Sequence, residues 1–108
     1  MGKVLEKVKA LAAVGEVRVS QHAFQELAND AIVLSEVVAG IAAAVEVEEY
    51  PAAVKGPSVL AMQCDAGNKP IHLVWGISRG ATGPAVLVTA YRPDPRRWSS
   101  DFLKRVKS

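Results

Sequence analysis

A chain of 108 residues, half of them hydrophobic, is long enough for one buried core and too short for two. A formal net charge of +2 gives no overall drive towards polyanions, and a single cysteine, Cys64, excludes an internal disulfide and a cysteine metal cluster. The charge is uneven, however: from Lys69 onward eight Lys or Arg face two Asp, whereas the first 68 residues carry five basic against nine acidic residues.

The opening residues, MGKVLEKVKA, lack the apolar segment of a secretory signal, and the longest apolar run, around Ala81 to Ala90, falls well short of a membrane span. A soluble, cytoplasmic protein without a membrane partner is expected. Residues 3 to 13 place Val4, Val8 and Leu11 at helical spacing, which predicts an amphipathic helix ending at Gly15. Val17 and Val19 allow a short extended piece. Ser20 is placed to cap a second helix through SQHAFQELAN, with Ala23, Phe24, Leu27 and Ala28 on its apolar face and His22, Glu26 and Asp30 beside them. A third helix, over Ser35 to Ala44, buries Val37, Val38 and Ile41.

From Val45 the period changes to alternation, and Val45-Glu46-Val47-Glu48 predicts a strand with one wet face and an acidic edge. A loop from Pro51 to Pro57 leads to a second strand, Ser58 to Cys64, with Cys64 expected as a small buried hydrophobe. Pro70 to Arg92 predicts a hairpin, because two β-rich runs flank Gly80-Ala81-Thr82-Gly83-Pro84. With Arg79 facing Pro84, the register sets His72 opposite Tyr91 on one face of the sheet. Trp75 alternates with Ile71, Leu73 and Ile77 and belongs to the core. Pro93 and Pro95 end the sheet, and Arg96 to Lys107 predicts a short basic helix that packs back through Trp98, Phe102, Leu103 and Val106. The whole is one α+β domain over residues 1–108: N-terminal helices on a four-stranded antiparallel meander in chain order, with a short C-terminal helix.

Several pieces, VSQHA, Ile32 to Val37 as I-x-x-x-E-V, EEYP, GPSVL, KPIHLVW and TAYRPDPRRW, follow one another in a pattern that resembles domain-of-unknown-function family 4258, itself similar to RelE and BrnT toxins. The resemblance covers residues 17–105 and leaves residues 1–15 as an added helix. It implies a RelE/BrnT-like fold, RNA as substrate and an antitoxin-like protein as partner, by fold-level analogy. One departure stands out. Where the family pattern HA-x-x-R-x-x-x-R-G has arginines, this chain has Glu26 and Asp30, and Ala31 replaces the glycine.

A metal-independent ribonuclease needs a base, an acid and cations for the pentavalent phosphate. His22, His72 and Tyr91 are the candidate catalytic residues, and Arg79, Arg92, Arg96 and Arg97 the candidate substrate contacts. Each has a structural alternative: His72 and Tyr91 as a satisfied cross-strand pair, His22 as part of a helix cap or a partner of Glu26, the basic tail as a solvated face. His22, Glu26 and His72 also have the residue types of a two-histidine, one-carboxylate metal site, although no cofactor or resident metal is expected. Strand parity sets Arg79 and Arg92 on the face opposite Tyr91 unless a bulge re-aims them. Two functions stay open, an endoribonuclease acting on single-stranded RNA and a non-catalytic interaction module, and open strand edges are compatible with a homodimer.

Overall fold

The computed structural model describes residues 2–106. Helix α1 (Lys3–Ala13) leads to strand β1 (Val17–Val19), helix α2 (Gln21–Asn29) and helix α3 (Leu34–Gly40), which tightens into a 3-10 turn at Ile41–Ala43. Strands β2 (Val45–Tyr50), β3 (Ser58–Cys64), β4 (Pro70–Ile77) and β5 (Ala85–Tyr91) complete an α+β fold. The sheet order is β1-β5-β4-β3-β2. The expected meander is present as β2 to β5, but the sheet is five-stranded and mixed, because β1 pairs in parallel with β5, Val17 against Ala85 and Val19 against Leu87. Three residues are too few to show a strand period, and a parallel partner near the other end of the chain leaves no local trace.

One face of the sheet is dry. Val59, Ile71, Leu73, Trp75, Leu87 and Ala90 have no exposure and pack under the helices, with Leu5 and Val8 of α1 equally buried above them. The N-terminal helix is thus part of the central core. Its start is held by the sheet: Glu46 accepts the N–H of Gly2 at 3.0 Å and Glu49 that of Val4 at 3.1 Å. Two carboxylates at a helix N-terminus satisfy orphan donors and oppose the dipole. They reach it because an irregularity between Glu46 and Glu48 puts an extra residue, Val47, into β2, so Glu46 and Glu49 face the helices while Glu48 faces the other way. The expected single wet face of this strand is therefore split between both faces.

Ser20 caps α2, its Oγ accepting the N–H of Ala23 at 3.0 Å. At the other end the N–H of Ile32 reaches the Leu27 carbonyl at 2.8 Å and that of Ala31 the Ala28 carbonyl at 3.4 Å, a Schellman closure that requires a left-handed residue. Ala31 supplies it at φ 53°. Glycine is the residue that the resemblance implies at this position. Phe24, expected in the core, is 66% exposed. Glu26 and Asp30 occupy one flank of the buried Ala23–Leu27 stripe and are drawn to the edge of β5, which turns Phe24, on the opposite flank, into solvent. Cys64 is exposed as well, at the wet end of β3.

The C-terminal helix does not form within the described residues; Lys107 lies outside them. Residues 93–106 instead make a strap of turns across the open face of the sheet, closed by an antiparallel bridge between Trp98 and Arg105. Short polar side chains take the backbone donors a helix would need: Asp94 accepts from Arg96 N–H at 2.9 Å, Asp101 from Leu103 N–H at 3.1 Å and Ser99 from Lys104 N–H at 3.1 Å. Phe102 adopts φ 62°, which also breaks a right-handed helix.

Two stability measurements follow from these contacts. Leu5→Ala should lower the unfolding free energy by about 3 kcal/mol in urea titrations, because it empties a fully buried site under α1. Ala31→Gly should raise it by about 0.5–1 kcal/mol, relief of the left-handed strain outweighing the added chain entropy.

Candidate functional site

The hairpin β4–β5 holds a second irregularity, and it shapes the site. Val74 faces Thr89 but Trp75 faces Leu87, leaving Val88 as an extra residue. Leu87 before it and Ala90 after it both point into the core, and Tyr91 is thereby turned to the open face, directly opposite His72. The expected pairing of His72 with Tyr91 is present.

His72 has no exposure although it lies on the outer face, because the strap covers it. Its Nε2 is 2.8 Å from the carbonyl of Phe102, which can only accept, so Nε2 carries the hydrogen. Nδ1 then accepts from the Tyr91 hydroxyl at 3.1 Å. The edge of the Trp98 ring closes the third side, with centroids 4.4 Å apart and planes at 90°. Burial pushes the His72 pKa below its ordinary value of 6.5, and burial likewise raises that of the Tyr91 phenol. At neutral pH the pair is a neutral imidazole and an intact phenol.

Beside Tyr91 opens a cleft of about 760 Å³, lined by Tyr91, Arg92, Asp94, Arg96, Arg97, Trp98, Arg105 and Val106. Arg105 lies 4.8 Å from the Trp98 ring centroid and pairs with Glu48 at 2.8 Å, which lowers the Glu48 pKa and raises that of Arg105. Arg96 makes a two-point contact with Asp94, at 3.2 and 3.1 Å. Arg92 pairs with Asp65 at 2.9 Å and donates to the carbonyls of Asp30 and Ala31 at 3.3 Å each, so one guanidinium ties the end of α2 to the β3–β4 turn. Among the described residues no carboxylate pairs with Arg97.

Of the residues expected in the site, Tyr91, Arg92, Arg96 and Arg97 meet at the cleft and His72 lies behind it. His22 and Arg79 do not join them. His22 is 68% exposed on α2 and pairs with Glu26 at 3.1 Å. Arg79 is exposed in the loop after β4, seven residues past His72 and roughly 24 Å along the strand direction at about 3.4 Å per residue. The combination of His22, Glu26 and His72 as metal ligands does not assemble, since both nitrogens of His72 are engaged within its own pocket. Glu48, which steadies Arg105, lies on the outer face where the alternation of β2 set it, but nothing in the sequence brought Arg105 to it; the Val47 irregularity instead turns Glu46 away from that face.

Glu26 and Asp30 have a definite task. Strand β1 ends at Val19 while β5 runs on to Tyr91, leaving backbone groups of β5 without a partner strand. Ser20 Oγ donates to the Val88 carbonyl at 3.1 Å, Glu26 accepts from the Thr89 hydroxyl and from Ala90 N–H, and Asp30 accepts from Arg92 N–H at 2.9 Å. One flank of α2 thus continues the ladder with side chains.

Residues 19–92 match the family model described as Domain of unknown function (DUF4258). The chain belongs to that family. No curated protein and no solved structure matches it. The DUF4258 match takes in His72, Tyr91 and Arg92, and it stops short of α1 and of the strap that supplies Arg96, Arg97, Trp98 and Arg105.

The depressed His72 pKa has a sign that can be measured. The unfolded chain binds the proton more readily, so the contribution of His72 to stability is complete above pH 6.5 and is lost as pH falls from there towards the lower folded value. Denaturation midpoints between pH 7.5 and 5 should fall for the wild type, and His72→Gln should flatten that part of the profile.

Proposed function

We propose that the cleft binds single-stranded RNA along its phosphodiester backbone and cleaves it without a metal, in the manner of a RelE/BrnT-like toxin-type protein. The observation that carries this reading is the Tyr91 phenol in the wall of an arginine-lined cleft, hydrogen-bonded from behind to a buried neutral imidazole. Tyr91 Oη takes the proton of a ribose 2′-hydroxyl as its own proton passes to Nδ1 of His72. The 2′ oxygen then attacks the adjacent phosphorus, and the 5′ oxygen leaves and takes a proton from water. The products are a 2′,3′-cyclic phosphate and a 5′-hydroxyl. The imidazolium formed keeps its Nε2–H on the Phe102 carbonyl, and Arg97, the cleft guanidinium without a carboxylate partner, faces the charge that builds on the phosphorane. His72 acts through Tyr91 and does not touch the substrate. Because it must be neutral to accept the proton, the rate falls with acidification, and does so at a lower pH than an ordinary imidazole would set, since burial lowers the His72 pKa.

A non-catalytic interaction module is the second reading, with an antitoxin-like protein or a second copy as its partner. It is favoured by the full satisfaction of His72, whose two nitrogens already have partners.

Incubation of the purified protein with a labelled single-stranded RNA in EDTA distinguishes the two. Cleavage to a cyclic phosphate end, reduced at least ~100-fold by Tyr91→Phe, is the expected result. Equal and negligible cleavage by the wild type and Tyr91→Phe discards the enzyme reading.

A further inference from the structure

We infer that the cleft is matched to a single negative charge, and that it therefore selects an internal phosphodiester linkage over nucleoside polyphosphates and terminal phosphates. The inference rests on the RNA reading above and sharpens its substrate class. Four guanidinium groups line the cleft, but three are committed: Arg92 to Asp65 at 2.9 Å, Arg96 to Asp94 at 3.1 Å and Arg105 to Glu48 at 2.8 Å. Their carboxylates stay ionised. Asp65 is held below its usual range by the backbone N–H of Lys69 and by Arg92, Asp94 by the Arg96 side chain, and Glu48 by Arg105. With His72 neutral, the set carries one unmatched positive charge, that of Arg97.

An internal phosphodiester carries one negative charge and a terminal phosphate close to two. A second negative charge in the cleft has to displace a carboxylate from its arginine or lie against it, and either costs affinity. Size does not make the choice, because a cleft of about 760 Å³ accommodates a whole nucleotide with several phosphates. Charge does. Glu48 then has a role of its own, since it holds Arg105 over the Trp98 ring and cancels a charge the ligand would otherwise meet.

The test is the salt dependence of binding, read by fluorescence anisotropy with labelled oligouridylate lacking terminal phosphates. One phosphate contact on a single strand gives a slope of log K against log salt of about −0.7. Glu48→Gln frees Arg105 and should steepen the slope to about −1.4, with tighter binding at low salt, whereas Arg97→Ala should flatten it towards zero. The dinucleoside monophosphate UpU should compete at least as well as UTP. Arg97 is exposed and Glu48 half-buried, and thermal melting of each variant checks that it folds. Binding at the expected slope without cleavage supports the charge match and discards the reaction above. Cleavage with a wild-type slope of about −2 or steeper, or stronger competition by UTP than by UpU, supports the reaction and overturns the charge match. Binding of neither RNA nor UpU overturns both.

Discussion

A strand offers each side chain one of two faces, and the choice is made by parity alone; an extra residue in the middle reverses it for everything downstream. Val88 is that residue in β5. Without it, Tyr91 would point under the helices and Ala90 would lie on the open face. With it, the core keeps Leu87 and Ala90, Tyr91 stands beside His72, and Arg92 is directed to the end of α2. The cleft, the buried imidazole and the link from α2 to the β3–β4 turn all depend on that single insertion.

Unpaired polar groups explain much of what surrounds it. A half-covered β5 edge presents donors and acceptors that water or protein must satisfy. Here a helix satisfies them, through Ser20, Glu26 and Asp30. The same reasoning applies to His72: a ring buried on the outer face needs a partner for each nitrogen, and the strap provides one as a backbone carbonyl. The carboxylates at 26 and 30 thus serve as acceptors along a strand edge, and the unpaired positive charge of the cleft comes from Arg97 of the strap.

Local patterns in the sequence were sufficient for α1, the Ser20 cap of α2, the spans of β3 and β4 and the burial of Trp75, because each is written in a few neighbouring residues. The pairing of His72 with Tyr91 was reached by a register that starts one residue out of step: Ile77 faces Ala85, which is out of phase with Arg79 facing Pro84, and the bulge at Val88 restores the difference. The parallel β1, the outward turn of Phe24, the inward turn of Glu46 and Glu49, and the strap in place of a helix are settled by contacts between distant segments. No periodicity in a short window records them. For the site, Tyr91 and the strap arginines were legible as residue types, whereas the exclusion of His22 and Arg79 required their positions in space.

The placement of β1 bears on the order in which the fold is assembled. Residues 17–19 lie early in the chain and pair with residues 85–87, so the strand has no ladder to join until the hairpin β4–β5 exists. Helix α1 is in the same position, since the surface that buries Leu5 and Val8 is made of β3, β4 and β5. Contacts of such long sequence separation carry a large loop-closure cost and place folding towards the slower end for a domain of this size. On the ribosome, α1 and β1 emerge before the strands they pair with, and during that interval an amphipathic helix with an open apolar stripe is what chaperones and neighbouring chains encounter.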